Sequence, residues 1–362
     1  MVSSTSSSEA PVAAVERAFA RGVPSLAWRR IAAIAFSVTL LAMLAWELRM
    51  RQIGLRAGDL DDGVGQWAAE RRKVDAGPRD PVVLVGDSRI LFDTDLDIFA
   101  DVTGRRPIQL ALPGTPGAQF LTDLGDDEHF AGLVVVGMME HLYFSSWKGL
   151  FGKALDYVHD ESPSQRSGVV IHLELSRTFA FLDKEYSLFN LIERNDIPNR
   201  GDVEGPYLDV WKLSETFDDR QTRMWSRIQT DPRLQQHAIA AWHDMKGKPL
   251  PQEQIDKTIA AAKRACERIR ARGGEVVFLR PPSAQPNRAN EEARAPRARV
   301  WDVLLRETGS VGIHFEDYPA MQGLEIPERS HLSAESAKVF TRAYAGELVR
   351  QVPWLATHAR PH

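Results

Sequence analysis

The sequence predicts a three-layer α/β/α domain around a mostly parallel sheet, preceded by one transmembrane helix. Three observations carry this reading. Short apolar runs that end in glycine, Pro81–Gly86 and Leu133–Gly137, read as strands buried on both faces. Segments of helical periodicity stand between such runs, as in α/β domains. An uncharged stretch, Ile31–Trp46, lies near the start of the chain. The 362 residues are 43% hydrophobic and 26% charged, enough for one large domain with a substantial core. A net charge of -4 offers no basic face for nucleic acid, which is excluded as a partner. The single cysteine, Cys266, cannot form an internal disulfide and reads as a small buried residue.

Taken in order, residues 1–25 are a polar tail expected on the cytoplasmic side, and 26–48 form a signal anchor. Ile31–Trp46 spans roughly 24 Å as a helix against a bilayer core of roughly 30 Å; Trp28 and Trp46 sit at interfacial positions and Arg29 and Arg30 can snorkel. No small-x-small cleavage site follows, so the anchor is read as uncleaved. Arg17, Arg21, Arg29 and Arg30 before the run, against Arg49, Arg51 and Arg56 after it, favour a cytoplasmic N-terminus and an extracytoplasmic domain, single-pass in the cytoplasmic membrane. Residues 49–79 read as a stalk with one helical piece at Gln66–Val74.

The main domain is expected over 80–350. Further strands are predicted at Glu275–Leu279 and Val311–Phe315. Pro251 opens a helix with Ile255, Ile259, Ala262, Cys266 and Ile269 on one face, stopped by Gly273 and Gly274. Ser333 can cap a last helix striped by Ala337, Phe340, Tyr344 and Leu348. The stretch at about 141–249 breaks the rhythm and reads as an insertion, a lid or a partner surface. Residues 351–362 read as a C-terminal tail.

In an open parallel sheet, ligands bind beyond the carboxyl ends of the strands. There the first strand delivers Gly86-Asp87-Ser88-Arg89, where a serine on a strand-to-helix turn can present a nucleophile and an oxyanion donor. Near the other end, Glu328 precedes His331 by three residues just before the last helix. A carboxylate at that spacing can hold imidazole Nδ1–H and leave Nε2 free to take a serine proton.

Together these features resemble the SGNH/GDSL hydrolase family. Its first block is matched by Gly86, Asp87 and Ser88, its second by Gly114 and its last by Glu328 and His331, over about 80–140 and 273–350. The resemblance implies a flavodoxin-like fold, no metal or cofactor, and ester hydrolysis or acyl transfer through an acyl-serine, with Ser88 as nucleophile, His331 as base and Glu328 as orienting acid. Two departures stand out. The third block, Gly-x-Asn-Asp, reads Gly137-Met138-Met139-Glu140, so the oxyanion hole rests on the backbone amides of Ser88 and Gly114. Glu328 also replaces the usual Asp. Arg89 is expected to salt-bridge Glu140, to bind a substrate anion, or to be a solvated surface residue.

A single-span anchor with such a domain is similar to bacterial proteins that add or remove O-acyl groups on extracytoplasmic polysaccharide. The expected partners are therefore an acylated polysaccharide and a membrane-bound O-acyltransferase. The rival readings are a degenerate glycan-binding or scaffolding module and a lipid-directed esterase or thioesterase. Gly63-Val-Gly65 lacks the strand and third glycine of a dinucleotide loop. His129, His141, His172, His237, His243 and His314 lack paired metal-ligand spacing. His141, at a strand end, reads as structural, and Ser283 after Arg280-Pro281-Pro282 stands as a lesser nucleophile candidate bordering the pocket.

Overall fold

Five strands, Val82–Val85 (β1), Ile108–Gln109 (β2), Leu133–Gly137 (β3), Glu275–Arg280 (β6) and Val311–His314 (β7), form one parallel sheet in the order β2-β1-β3-β6-β7. A separate antiparallel pair, Ser214–Thr216 (β4) and Thr222–Met224 (β5), lies in the inserted stretch. The structure is a computed structural model that describes residues 25–187, 190, 212–240, 242 and 247–358. Counted within the large sheet, the strand order is the flavodoxin-like 2-1-3-4-5, with its switch point between β1 and β3. Register is continuous across the centre, Val82 beside Leu133 and Leu133 beside Glu275. Every residue of β1 and β3 is buried, as their unbroken apolar runs require.

One face of the sheet is covered by the helices Val64–Ala76, Gly117–Asp126, Gln252–Ala271 and Arg297–Thr308, whose core includes Trp67, Phe120, Ile255, Cys266 and Trp301. The other carries Leu96–Thr103 and Ala334–Gln351 through Phe99, Phe340, Tyr344 and Leu348. The predicted stripes face inward in both long helices: Ile255, Ile259, Ala262, Cys266 and Ile269 are all buried, and so are Ala337, Phe340, Tyr344 and Leu348. Ser333 Oγ accepts from Ser336 N at 3.3 Å, and Gly273 (φ +90°) ends the other helix.

Two boundaries are corrected. The stretch 49–79, expected as a stalk, belongs to the domain from Met50 onward. Leu55, Leu60, Ala68 and Val74 are buried, and Trp67 is fully enclosed with its Nε1 donating to the Leu110 carbonyl at 2.9 Å. The dense charge around Arg71 concealed that face, and Arg71 is itself ion-paired with Asp75 and Asp123. The expected tail from 351 begins with a helix, Pro353–Thr357, that buries Trp354 and Leu355, with Trp354 Nε1 donating to the Gly273 carbonyl at 3.0 Å.

The helix Trp28–Gln52 is 25 residues long, with a mean hydropathy of 2.0 in its most apolar window. It is long and apolar enough to cross a membrane. The expected tail at 1–25 lies outside the described residues except for Ser25. Within the insertion, Phe151–Asp160 and Pro163–Ser176 are helical. Arg220, fully buried, fixes the β4–β5 pair to the main sheet's edge, donating to the Gln109 and Ala111 carbonyls at 2.9 Å each and pairing with Asp62.

Candidate active site

Ser88 opens a short helix, Ser88–Phe92, directly after β1, and Asp87 caps it. Asp87 Oδ1 accepts from Arg89 N at 2.9 Å and Oδ2 from Met139 N at 3.0 Å, so one buried carboxylate fastens the exits of β1 and β3 together. The approach is close enough to demand glycine. A Cβ on Gly86 (φ +138°) would lie 2.3 Å from the Gly137 carbonyl oxygen, and one on Gly137 would lie 2.3 Å from Ile90.

His331 arrives from the far end of the chain. Its Nε2 lies 2.9 Å from Ser88 Oγ and its Nδ1 3.1 Å from Glu328 Oε1. The carboxylate partner assigns the proton to Nδ1 and leaves Nε2 as the acceptor. Glu328 Oε1 also accepts from the backbone amides of Ser330, at 3.0 Å, and His331, while Oε2 accepts from Trp242 Nε1. Burial would raise the pKa of this carboxyl. The adjacent His331 ring and these donors outweigh it and hold Glu328 below the usual range, so it stays an anion beside the imidazole. Phe92 stacks on the imidazole with centroids 4.3 Å apart, and Asp93 Oδ1 accepts from Leu332 N at 2.8 Å, so ring and loop are both fixed. Ser88 and His331 open into a cleft of about 400 Å³, which Gly114 and Trp242 also line.

Gly114 adopts φ +60° in the turn after β2, which suits an amide-presenting bend. Met139, just past the end of β3, brings no side-chain donor, and its amide is engaged by Asp87. The candidate oxyanion donors are therefore the amides of Ser88 and Gly114.

Arg89 and Glu140 differ from expectation. They do not pair with each other, and neither lines the cleft. Arg89 is fully buried and bonds Glu291, with Nε 3.3 Å from Ser330 Oγ. Glu140 instead takes Arg280 Nε at 2.7 Å. Arg280 also reaches Glu291 at 2.6 Å, and Ser283 Oγ donates to Glu291 at 2.7 Å. Two arginines and two glutamates thus share a closed network behind the strand ends. Burial opposes ionisation of both acids, yet Arg280 holds Glu140 at about 2, and Arg89 with Arg280 holds Glu291 lower still. Arg89 is thus neither a surface residue nor a cleft-facing anion site, and Ser283 serves the network rather than bordering the cleft. His141 is buried, pushed down to about 4 chiefly by that burial, and also stands off the cleft.

Sequence reasoning missed three contributors. Trp242 comes from the insertion and carries no motif. Phe92 was detectable only as an apolar residue one helical turn past Ser88. The far wall of the cleft holds Lys212 between Asp59 and Asp183, whose Oδ2 is 2.5 Å away, and burial pushes Asp59 up to about 6.

Fold and site together define an α/β domain with a parallel five-stranded sheet and a serine–histidine–glutamate chain at its switch point. Neither a protein-family model nor a curated protein matches the sequence.

Proposed function

We propose that the chain is a membrane-anchored serine esterase or O-acyltransferase of the SGNH type, acting on O-acyl esters, chiefly O-acetyl, of an extracytoplasmic polysaccharide. The observation that supports it most is the unbroken relay from Glu328 Oε1 through His331 to Ser88 Oγ, at 3.1 and 2.9 Å. His331 Nε2 takes the Ser88 proton as Oγ attacks the ester carbonyl. The tetrahedral oxyanion draws on the amides of Ser88 and Gly114. Collapse expels the alcohol, which receives the proton from His331, and leaves an acyl-serine. Water or a sugar hydroxyl then gives its proton to His331 and attacks the acyl carbon, releasing acid or a new ester and restoring Ser88.

The transferase branch needs an acyl supply, for which a membrane-bound O-acyltransferase is the proposed partner. The domain is proposed to lie outside the cytoplasm, in keeping with the arginines before the apolar run. Met139 in place of an asparagine donor favours one second reading, a binding module without turnover, because losing an oxyanion donor costs roughly 10²–10³ in rate. Hydrolysis of an aryl acetate separates the two. The wild type turns it over and Ser88→Ala falls to background, whereas a wild type at background supports the binding module. A C-terminal reporter active only in the cytoplasm is expected to stay silent.

A further inference from the structure

Among the described residues, the helix Pro163–Ser176 is seated along one side. Val169 packs against the helix Val64–Ala76 so closely that a Cβ on Gly65 would lie 2.4 Å from Val169 Cγ2, and Ser176 is buried. The other side leaves Val170 and Ile171 each 59% exposed and Leu175, one turn on from Ile171, 46% exposed. Phe179 continues the line, partly exposed and 5.4 Å from the ring of Phe181. Single exposed apolar residues are ordinary, whereas a run of three on one helix face calls for a partner.

Position in the chain indicates which partner. The carboxyl end of this helix is fastened to residues that directly follow the apolar span. Gly58 N donates to the Ser176 carbonyl at 2.8 Å, and Arg51 donates to the Thr178 carbonyl at 3.4 Å. Arg51 lies in the same continuous helix as Trp46, the last residue of the uncharged run. Five helical steps lead from one to the other, a rise of about 7.5 Å. The chain therefore ties the carboxyl end of the helix that bears the stripe to a point a few residues beyond the end of the uncharged run.

We propose that Val170, Ile171 and Leu175 form a second footing of the domain on the bilayer crossed by the Trp28–Gln52 helix. The inference rests on that helix being a membrane span and is independent of the esterase chemistry. An amphipathic helix lying in the interface buries such a stripe among the lipid headgroups and acyl chains, with aromatic rings at the boundary. The footing has a consequence for the cleft. Asp59 follows Gly58 directly and Asp183 follows Thr178 by five residues, at most about 18 Å of chain, and both line the cleft. Docking therefore keeps the cleft close to the membrane surface, suited to a substrate or acyl donor presented there.

The test uses the full chain in vesicles of phosphatidylethanolamine and phosphatidylglycerol. Ile171→Cys and, separately, Leu175→Cys carry an environment-sensitive fluorophore. Val349→Cys, 46% exposed near the far end of the last long helix, is the reference, and the fully buried Cys266 stays unlabelled in the folded protein. The expected result is quenching of both stripe positions by spin-labelled lipid, with iodide quenching about fivefold or more below the reference. Iodide quenching equal to the reference at both positions overturns the proposal. Shielding from iodide without lipid quenching also overturns it, because the occupant is then protein, either a second copy or residues 191–211. Release of the chain by a carbonate wash removes the span and the footing together. A protein inactive on every ester alters none of these readings.

Discussion

Glu328→Gln isolates the electrostatic part of the relay, since it keeps the size of the side chain and removes its charge. During attack on an ester, His331 becomes an imidazolium 3.1 Å from Glu328 Oε1. A unit charge pair at that distance, with an effective dielectric of about 20, is worth about 5 kcal/mol, and this attraction exists only when the imidazole is charged. Converted at 1.36 kcal/mol per decade, it corresponds to a rate loss on the order of 10³–10⁴. Geometry adds to the loss. An amide oxygen can serve the three N–H groups that meet at Oε1, but the amide NH₂ then faces Trp242 Nε1, a donor against a donor. The assay is kcat/KM on an aryl acetate for Glu328→Gln, His331→Ala and the double variant. The carboxylate acts only through the imidazole, so the double variant is expected to be about as slow as His331→Ala. A Glu328→Gln enzyme within a few-fold of wild type, or losses that multiply in the double variant, refutes the reasoning.

Trp242→Phe keeps a ring over the cleft but removes the donor to Glu328 Oε2. A hydrogen bond to a buried charge is involved, so kcat is expected to fall about tenfold, with KM changing less, and an unchanged kcat contradicts the role. Glu291→Gln leaves Arg89 without its carboxylate partner and Arg280 with Glu140 alone, and is expected to cost about 3 kcal/mol or more of stability, read as a lower unfolding temperature. An unchanged unfolding temperature rules the network out as a stabilising element. Glu140, held at about 2 by Arg280 against its burial, has a folded pKa below the ordinary 4.5. Its contribution is therefore fully present above that range and is lost as pH falls from about 4.5 toward 2. Glu140→Gln should lower stability at neutral pH and flatten its decline over that acid interval, and denaturant titrations across pH check both.

The parts of the site that announce themselves locally were legible. Ser88 and His331 each stand beside a strand or helix boundary that the chain marks with glycine or a cap, and Glu328 lies three residues from the histidine it serves. The strands β1 and β3 were legible for a similar reason, because strands buried on both faces must be apolar throughout; β6 was legible from its apolar centre, and β7, a partly exposed edge strand, from a shorter apolar run. What was not legible depends on distant partners. Arg89 pairs with Glu291, 202 positions away on a helix, Asn287–Arg294, whose composition reads as solvent-exposed. Trp67 hides in a segment dominated by charge, since Arg71, on the same helix that buries the indole, pairs with Asp75 there and with Asp123 on the helix Gly117–Asp126. Trp242 reaches Glu328 only because the insertion folds back over the sheet's carboxyl edge, and no spacing rule relates the two positions. The two-residue β2 is too short for any periodicity to register.

The central claim is that Ser88 is a nucleophile activated by His331. Its most direct test is covalent labelling of the full-length protein with a serine-reactive fluorophosphonate, with the modified peptide located by mass spectrometry. The account predicts a single adduct on Ser88, lost in Ser88→Ala and formed far more slowly in His331→Ala. No adduct on the folded wild type, or an adduct on another serine that survives Ser88→Ala, contradicts it.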